Sequence, residues 1–296
     1  MQFITSNQNH NVQWVRNLRL RKYRESSGCF FIEGMRAVSE AAAADLTLRW
    51  LVYSQSFAAS EAAAGLPEVP VLPVSDRIFA TFCETETPQG IGAVVNFPEP
   101  PPPEVIRAYR NILLLEHVQD PGNMGTMIRT ADAAGFDAVF CTKGCVDIYN
   151  PKVLRATVGS VFHLPILQWE DLSHRLSSEN AAASYPVSNM ASNTAAAAAE
   201  WLRTQGFRIY AAHPRGGDTC FETVFRDKNV IVIGNEANGL TDEMIRACDS
   251  LVTIPMPGRA ESLNASVAAA LLIYEVVRRG AAGRGGTPPR RHTKKG

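Results

Sequence analysis

Five largely apolar stretches of four residues each, at 112–115, 138–141, 209–212, 230–233 and 251–254, punctuate the second half of the chain. Stretches that read as helix alternate with them, at 124–134, from 152 to 157, at 242–247 and at 265–279. Apolar runs this short suit fully buried strands, and strands separated by helices predict a mostly parallel sheet covered on both faces. The alanine run 195–199, in a helical stretch before Trp201, needs only packing to explain it.

A proline cluster separates this pattern from what precedes it. Between 98 and 103 five of six residues are proline, which forbids a helix or a central strand, so the domain boundary is expected there. Upstream, a strand at 29–32, a helix at 35–44, a strand at 50–53, a helix at 57–64 and a strand at 71–74 predict a smaller α/β sandwich. The expected division is an α/β domain over 1–96, a Pro-rich linker over 97–110, an α/β domain over 111–280 and a disordered basic tail over 281–296. A length of 296 residues suits two domains, and 46% hydrophobic with 20% charged residues suits folded ones.

Charge excludes a global attraction to polyanions, because 29 basic residues balance 29 acidic ones. Any positive field is local. Arg16, Arg19, Arg21, Lys22 and Arg24 cluster near one end, and Arg278, Arg279, Arg284, Arg290, Arg291, Lys294 and Lys295 near the other. The six cysteines are sparse, no signal peptide is evident, and no apolar run approaches a membrane span, so a cytoplasmic protein is expected. Cys141 and Cys145 have no second pair at zinc spacing and read as ordinary buried thiols; no metal is expected.

The chemistry concentrates in three loops that follow predicted strands. The first, Asp120-Pro-Gly-Asn-Met-Gly125, opens a helix that carries Arg129. A helix N-terminus offers unpaired N–H groups to an anion or an alkoxide, although a plain βα turn uses the same residues. It is neither the G-x-G-x-x-G dinucleotide fingerprint nor a P-loop. The second loop, Gly234-Asn-Glu-Ala-Asn-Gly-Leu240, and the third, from Ile254 to Ser266, each follow a strand as well. Loops at the carboxyl ends of strands are where open α/β sheets bind ligands. Glu236 is alternatively a cap or salt-bridge partner, and Ser262 and Asn264 are alternatively caps of the last helix.

Taken together, N-x-G-x-x-x-R-T-A from Asn123, I-G-N-E-x-x-G-L from Ile233 and I-P-M-x-G-x-x-x-S-L-N-x-S-V-A from Ile254 resemble the three ordered motifs of the SpoU/TrmH branch of the SPOUT methyltransferases. The segment V-D-I-Y-N-P-K-V-L-R-A-T-V-G-S from Val146 resembles that branch's intermotif helix, and R-x-L-R-x-R-K-Y-R with F-F-I-E-G resembles its ribosomal-protein-like substrate-binding domain. The resemblance implies a deep trefoil knot, an obligate homodimer, S-adenosylmethionine as methyl donor and an RNA ribose 2′-hydroxyl as acceptor. It places the cofactor against Ala212, His213, Gly234, Ile254, Met256 and Leu263, and it makes Asn123, Arg129, Glu236, Ser262 and Asn264 the catalytic or orienting residues. Arg16, Arg19, Arg21, Lys22 and Arg24 would meet RNA phosphates. Topology rules alone would have given an unknotted doubly wound sheet.

A guanidinium resists deprotonation, so Arg129 is expected to stabilise the developing alkoxide or a neighbouring phosphate and not to serve as base. The accessory N-terminal domain favours large-subunit ribosomal RNA over transfer RNA. A non-catalytic dimeric RNA-binding platform and a nucleotide-dependent oxidoreductase are the competing classes. The intact polar set weighs against the first, and the missing glycine fingerprint against the second.

Overall fold

The computed structural model describes residues 2–60, 62, 66–178 and 194–283. It resolves into two compact units. One comprises Met1–Pro101 with Asp120–Arg129 and Val146–Pro165; the other comprises Pro102–Gln119, Thr130–Cys145 and the chain from Ile166 onward. The first unit's long segment therefore ends inside the proline cluster, while two pieces of the second half group with it.

The first unit is built on a four-stranded sheet in the order β1 (Cys29–Glu33), β4 (Ile91–Asn96), β2 (Leu48–Ser54), β3 (Val71–Val74). Strand β4 runs antiparallel to both neighbours, and β2 pairs with β3 in parallel. The basic stretch that follows residue 9 folds into two short helices, α1 (His10–Asn17) and α2 (Arg21–Ser27). Asn9 caps α1 by accepting from the N–H groups of Asn11 and Val12. Gly28 ends α2 in the left-handed region, at φ 62°. Val12, Val15 and Leu18 point into a core with Val52, Leu72 and Val94, so the apolar positions between the arginines fold the segment. The remaining helices before the linker are α3 (Met35–Ala43), α4 (Gln55–Ala58) and α5 (Asp76–Ala80). The helix expected over 57–64 is thus shorter and earlier, and residues 61 and 63–65 lie outside the described ones.

The proline cluster does admit a helix. α6 (Pro103–Arg107) starts on its last proline, at a first-turn position whose N–H would have had no partner within the helix. α7 (Pro121–Ala133) and α8 (Pro151–Thr157) follow later in the chain. A Cβ on Gly125 would lie 2.3 Å from the Ala156 Cβ, so α7 meets α8 at a contact that only glycine allows.

Among the described residues the second unit holds seven strands, all parallel, in the order β7 (Ile166–Gln168), β6 (Ala138–Cys141), β5 (Asn111–Leu115), β10 (Asn229–Ile233), β8 (Arg208–Ala212), β11 (Ser250–Thr253), β9 (Asp218–Thr219). The predicted strands are all present, and the sheet is parallel throughout. Side-chain alternation gives each strand two apolar faces. Ile112, Leu114, Phe140, Ile209, Val230 and Val232 share one core with α9 (Trp169–Ser178), α10 (Ala195–Thr204) and α11 (Asp242–Ala247). The five alanines of α10 are all buried there. The last helix, α12 (Ala265–Gly283), packs against β10 and β8. It runs to Gly283, past the expected start of the basic tail, and residues 284–296, with Arg284, Arg290, Arg291, Lys294 and Lys295, lie outside the described ones.

Candidate active site

Parallel pairing brings the carboxyl ends of the strands to one edge of the sheet. Ile233 pairs with Leu115, Val232 with Ala211, and Ala212 with Val252, so the exits of β5, β10, β8 and β11 lie side by side. Strand β10 sits between β5 and β8, where the strand order reverses, and a parallel α/β sheet opens a ligand crevice at such a point.

The exit of β10 is a tight loop. Asn235 and Gly239 exchange backbone hydrogen bonds of 2.9 Å each, and Asn235 Oδ1 accepts from the N–H groups of Ala237 and Asn238. Gly239 takes φ 69°. Gly234 is required by space: a Cβ there would lie 2.5 Å from the Gly239 carbonyl carbon and oxygen. Glu236 is exposed at the tip, and its Oε2 accepts from the Gln119 N–H at 3.3 Å.

Two further bonds tie this loop to the exit of β5. Asn235 Nδ2 donates to the His117 carbonyl at 2.8 Å, and His117 itself takes φ 55°, rare for a residue with a side chain. Glu116 is 2% exposed, and its two carboxylate oxygens accept from the Thr241 N–H at 2.9 Å and from the Thr241 hydroxyl at 2.7 Å. Thr241 in turn caps α11 through the Met244 N–H. Glu116, Asn235 and Thr241 form a latch that the sequence did not disclose. A charged residue ending a buried apolar strand was the available signal.

At the exits of β8 and β11, the His213 N–H donates to the Val252 carbonyl at 3.0 Å. The Thr253 hydroxyl donates to the His213 carbonyl at 2.9 Å and accepts from the Gly216 N–H at 2.6 Å. His213 Nδ1 accepts from the Arg215 N–H, which leaves the proton of the neutral ring on Nε2. Ala212, His213, Ile254 and Met256 are half-buried, whereas Ser262 and Leu263 are exposed on the loop that follows β11. Asn264 is a cap, as one alternative held: its Oδ1 accepts from the Ser266 N–H and hydroxyl and from the Val267 N–H. Ser262 makes no side-chain hydrogen bond among the described residues.

On α7, Asp120 Oδ1 accepts from the Asn123 N–H at 2.7 Å and caps the helix. Met124, Met127, Ile128 and Ala131 are buried on one side, Asn123 is half-buried, and Arg129 is exposed with no hydrogen bond or ion pair among the described residues. Cys141 is buried and Cys145 half-buried, as expected of structural thiols. Their contact has one further effect: the bond from Cys141 holds the Cys145 thiol below its usual range. Among the described residues no cluster of three or more His, Cys, Asp or Glu could hold a metal ion, and no helix is long and apolar enough to cross a membrane.

The N-terminal cations depart from expectation in one case. Arg24 is 3% exposed and ion-paired with Asp147, and its Nη1 donates to the Leu18 carbonyl at 2.6 Å, so its fork has no face left for a phosphate. The apolar spacing of the segment turns Arg24 inward. Arg16 is held by Thr81 and Asn7, Arg19 faces Glu84 at 3.8 Å, Arg21 pairs with Glu25, and the Lys22 ammonium lies over the Tyr23 ring.

A parallel sheet with glycine-bearing loops joined at its order-reversal edge has the ligand-binding edge of an α/β enzyme. The chain belongs to the SpoU rRNA methylase family, which its sequence matches over residues 110–195 and 175–274, and residues 9–93 match the MRM3-like substrate binding domain. It is 33% identical to the 23S rRNA (guanosine(2553)-2′-O)-methyltransferase RlmP of Bacillus subtilis, over 93% of this chain and 99% of that one. Its structure is similar to that of the AdoMet-bound rRNA methyltransferase of Sinorhizobium meliloti, with a TM-score of 0.74, 28% identity and coverage of 94% and 98%. It is also similar to the SpoU methyltransferase AviRb of Streptomyces viridochromogenes in complex with AdoMet, with a TM-score of 0.75, 26% identity and coverage of 92% and 98%.

Proposed function

We infer that this chain transfers the methyl group of S-adenosylmethionine to a ribose 2′-hydroxyl of ribosomal RNA. The observation that carries the reading is the convergence of the β8, β10 and β11 exits, with their glycine-bearing loops, at one sheet edge in a chain of the SpoU rRNA methylase family. Relatives that share nearly its whole length are rRNA methyltransferases by name.

The residues present fit the cofactor. Ala212, His213, Gly234, Ile254, Met256 and Leu263 are assigned to it, largely through backbone groups. The close approach at Gly234 leaves no side chain to obstruct that wall. When bound, S-adenosylmethionine supplies a methyl group on a positively charged sulfur that a ribose oxygen can displace. The chain's task is to align that oxygen and to favour its developing negative charge. Arg129 takes this role, because a guanidinium keeps its charge and this one is exposed on α7 without a partner among the described residues. Asn123, Glu236, Ser262 and Asn264 orient the ribose and the loops. Arg16, Arg19, Arg21 and Lys22 contact phosphates.

The working form is a homodimer in the cytoplasm, with the family's trefoil knot in the second unit. What supports the dimer is a stripe on α12, where Val267, Leu271 and Tyr274 are 47%, 45% and 51% exposed at helical spacing. Tritium transfer from methyl-labelled S-adenosylmethionine into purified ribosomal and transfer RNA tests the substrate class. Label in ribosomal RNA is expected. Label only in transfer RNA would refute the assignment.

A further inference from the structure

Positive charge also gathers at the amino edge of the seven-stranded sheet, opposite the cofactor edge. Arg110 precedes β5, Lys228 precedes β10, and Arg208 opens β8; Asn229 aligns with both Asn111 and Arg208, which puts Arg110 and Lys228 side by side with Arg208 one position further along the next strand. Adjacent strands lie about 4.8 Å apart, so the three span roughly 10 Å. Arg107 and Arg226 flank them. The Lys228 ammonium donates to the Arg107 and Gln205 carbonyls at 2.5 and 3.0 Å, and the Arg226 carbonyl accepts from Asn229 Nδ2 at 2.8 Å.

The nearby acids Asp137 and Asp249 are held by backbone N–H groups at this edge or by Arg203, and neither is bonded to the Arg107, Arg110 or Arg226 side chains among the described residues. Asp137 Oδ2 accepts from the backbone N–H groups of Arg110 and Asn111. Asp249 is taken by Arg203 and by the Ile209 N–H. Asp227 is exposed beside Lys228 and offsets one charge. The Arg110 and Arg226 side chains are exposed and make no hydrogen bond or ion pair among the described residues, and the Arg107 Nε bonds only the neutral Gln205. The N-terminal arginines differ, since Arg19, Arg21 and Arg24 each face a carboxylate. In a chain of zero formal charge, positive groups released from acidic partners at one edge create a local field.

We propose that this amino edge, with Arg107, Arg110, Arg226 and Lys228, is a second RNA-binding surface that holds phosphates of the substrate away from the ribose being methylated. Five residues of parallel strand separate the two edges by about 16 Å, less than the reach of one folded RNA helix and its flanking strand. The surface carries no base-reading geometry. It contributes affinity, steers encounter and makes binding salt-dependent.

The inference rests on the RNA reading above, and the test separates the two. Binding of purified large-subunit ribosomal RNA is measured by filter retention across potassium chloride concentrations for the wild type and for Arg110→Gln/Arg226→Gln. The double variant should bind about tenfold more weakly near physiological salt, with a log–log salt slope shallower by about 1.5, the loss of two phosphate contacts. S-adenosylmethionine affinity and kcat at saturating RNA should be unchanged, with KM for RNA raised. Unchanged RNA affinity and slope, while the wild type methylates that RNA, overturns this surface alone. No RNA binding or methylation by the wild type overturns the reading it rests on. A fall in sedimentation mass in the double variant overturns the proposal in favour of a contact between protein chains. Arg107→Gln/Arg226→Gln repeats the test should the first pair fail to fold.

Discussion

Replacing Glu116 by Gln tests whether the β5 and β10 exits act as one body. The side chain is 2% exposed and makes two short bonds to Thr241, both as acceptor. Glutamine keeps one acceptor oxygen but turns an NH2 group toward the second donor. The Thr241 oxygen, which accepts from the Met244 N–H at 3.1 Å, has a second lone pair for that NH2, but its own proton then loses its acceptor. Mispairing a buried polar group costs about 1–3 kcal/mol, and about 2 kcal/mol is expected here. Thr241→Val removes the same bond and the cap of α11, at a cost of about 1–2 kcal/mol. The two changes share one interaction, so a double-mutant cycle followed by urea denaturation should show a coupling of about 1–2 kcal/mol. The loosened loop carries Gly234, assigned above to the cofactor, so S-adenosylmethionine affinity by calorimetry should fall about tenfold. Additive effects in the cycle, or unaltered cofactor affinity in a folded Glu116→Gln protein, would refute the latch.

Four further outcomes follow from the same geometry. Arg24→Ala leaves Asp147 in a site that is 13% exposed without its partner and should lower stability to urea by about 3 kcal/mol; a loss below about 0.5 kcal/mol would return Arg24 to the surface. Gly234→Ala drives a Cβ against the Gly239 backbone and should abolish cofactor binding while circular dichroism stays native. Leu271→Glu/Tyr274→Glu places charges on the α12 stripe and should convert a dimer into a monomer in sedimentation; an undisturbed dimer moves the interface elsewhere. Arg129→Lys keeps the charge but loses the planar fork and should lower kcat by about 100-fold with little change in cofactor affinity.

The second half of the fold was legible because its strands end sharply. Apolar runs at 112–115 and 230–233 are followed by polar, glycine-bearing loops, and burial on both faces leaves no amphipathic ambiguity. Strands β7 and β9 were not legible, since three and two residues carry no period. In the first half, the charges of residues 12–24 drew attention to phosphates, while Val12, Val15 and Leu18 were specifying helix packing. Arg24 looked like its neighbours. Its partner Asp147 lies 123 residues away, and no local pattern announces such a pair.

The candidate site was legible in its loops but not in its fastenings. Gly234 and Asn264 have local reasons for their identity, a forbidden Cβ and a helix cap, and such reasons leave motifs. Glu116 and Thr241 meet across 125 residues, and Asn235 reaches His117 across 118. The cationic amino edge is assembled from residues scattered between 107 and 228, so it never appears as a run.

Methylation of a ribose oxygen, as distinct from a base, is read out by alkali. RNA methylated with labelled S-adenosylmethionine is hydrolysed completely in base, which cleaves every linkage that has a free 2′-hydroxyl. A 2′-O-methyl group blocks that cleavage, so the label should emerge in an alkali-resistant dinucleotide. Label recovered in mononucleotides would place the methyl on a base and contradict the account.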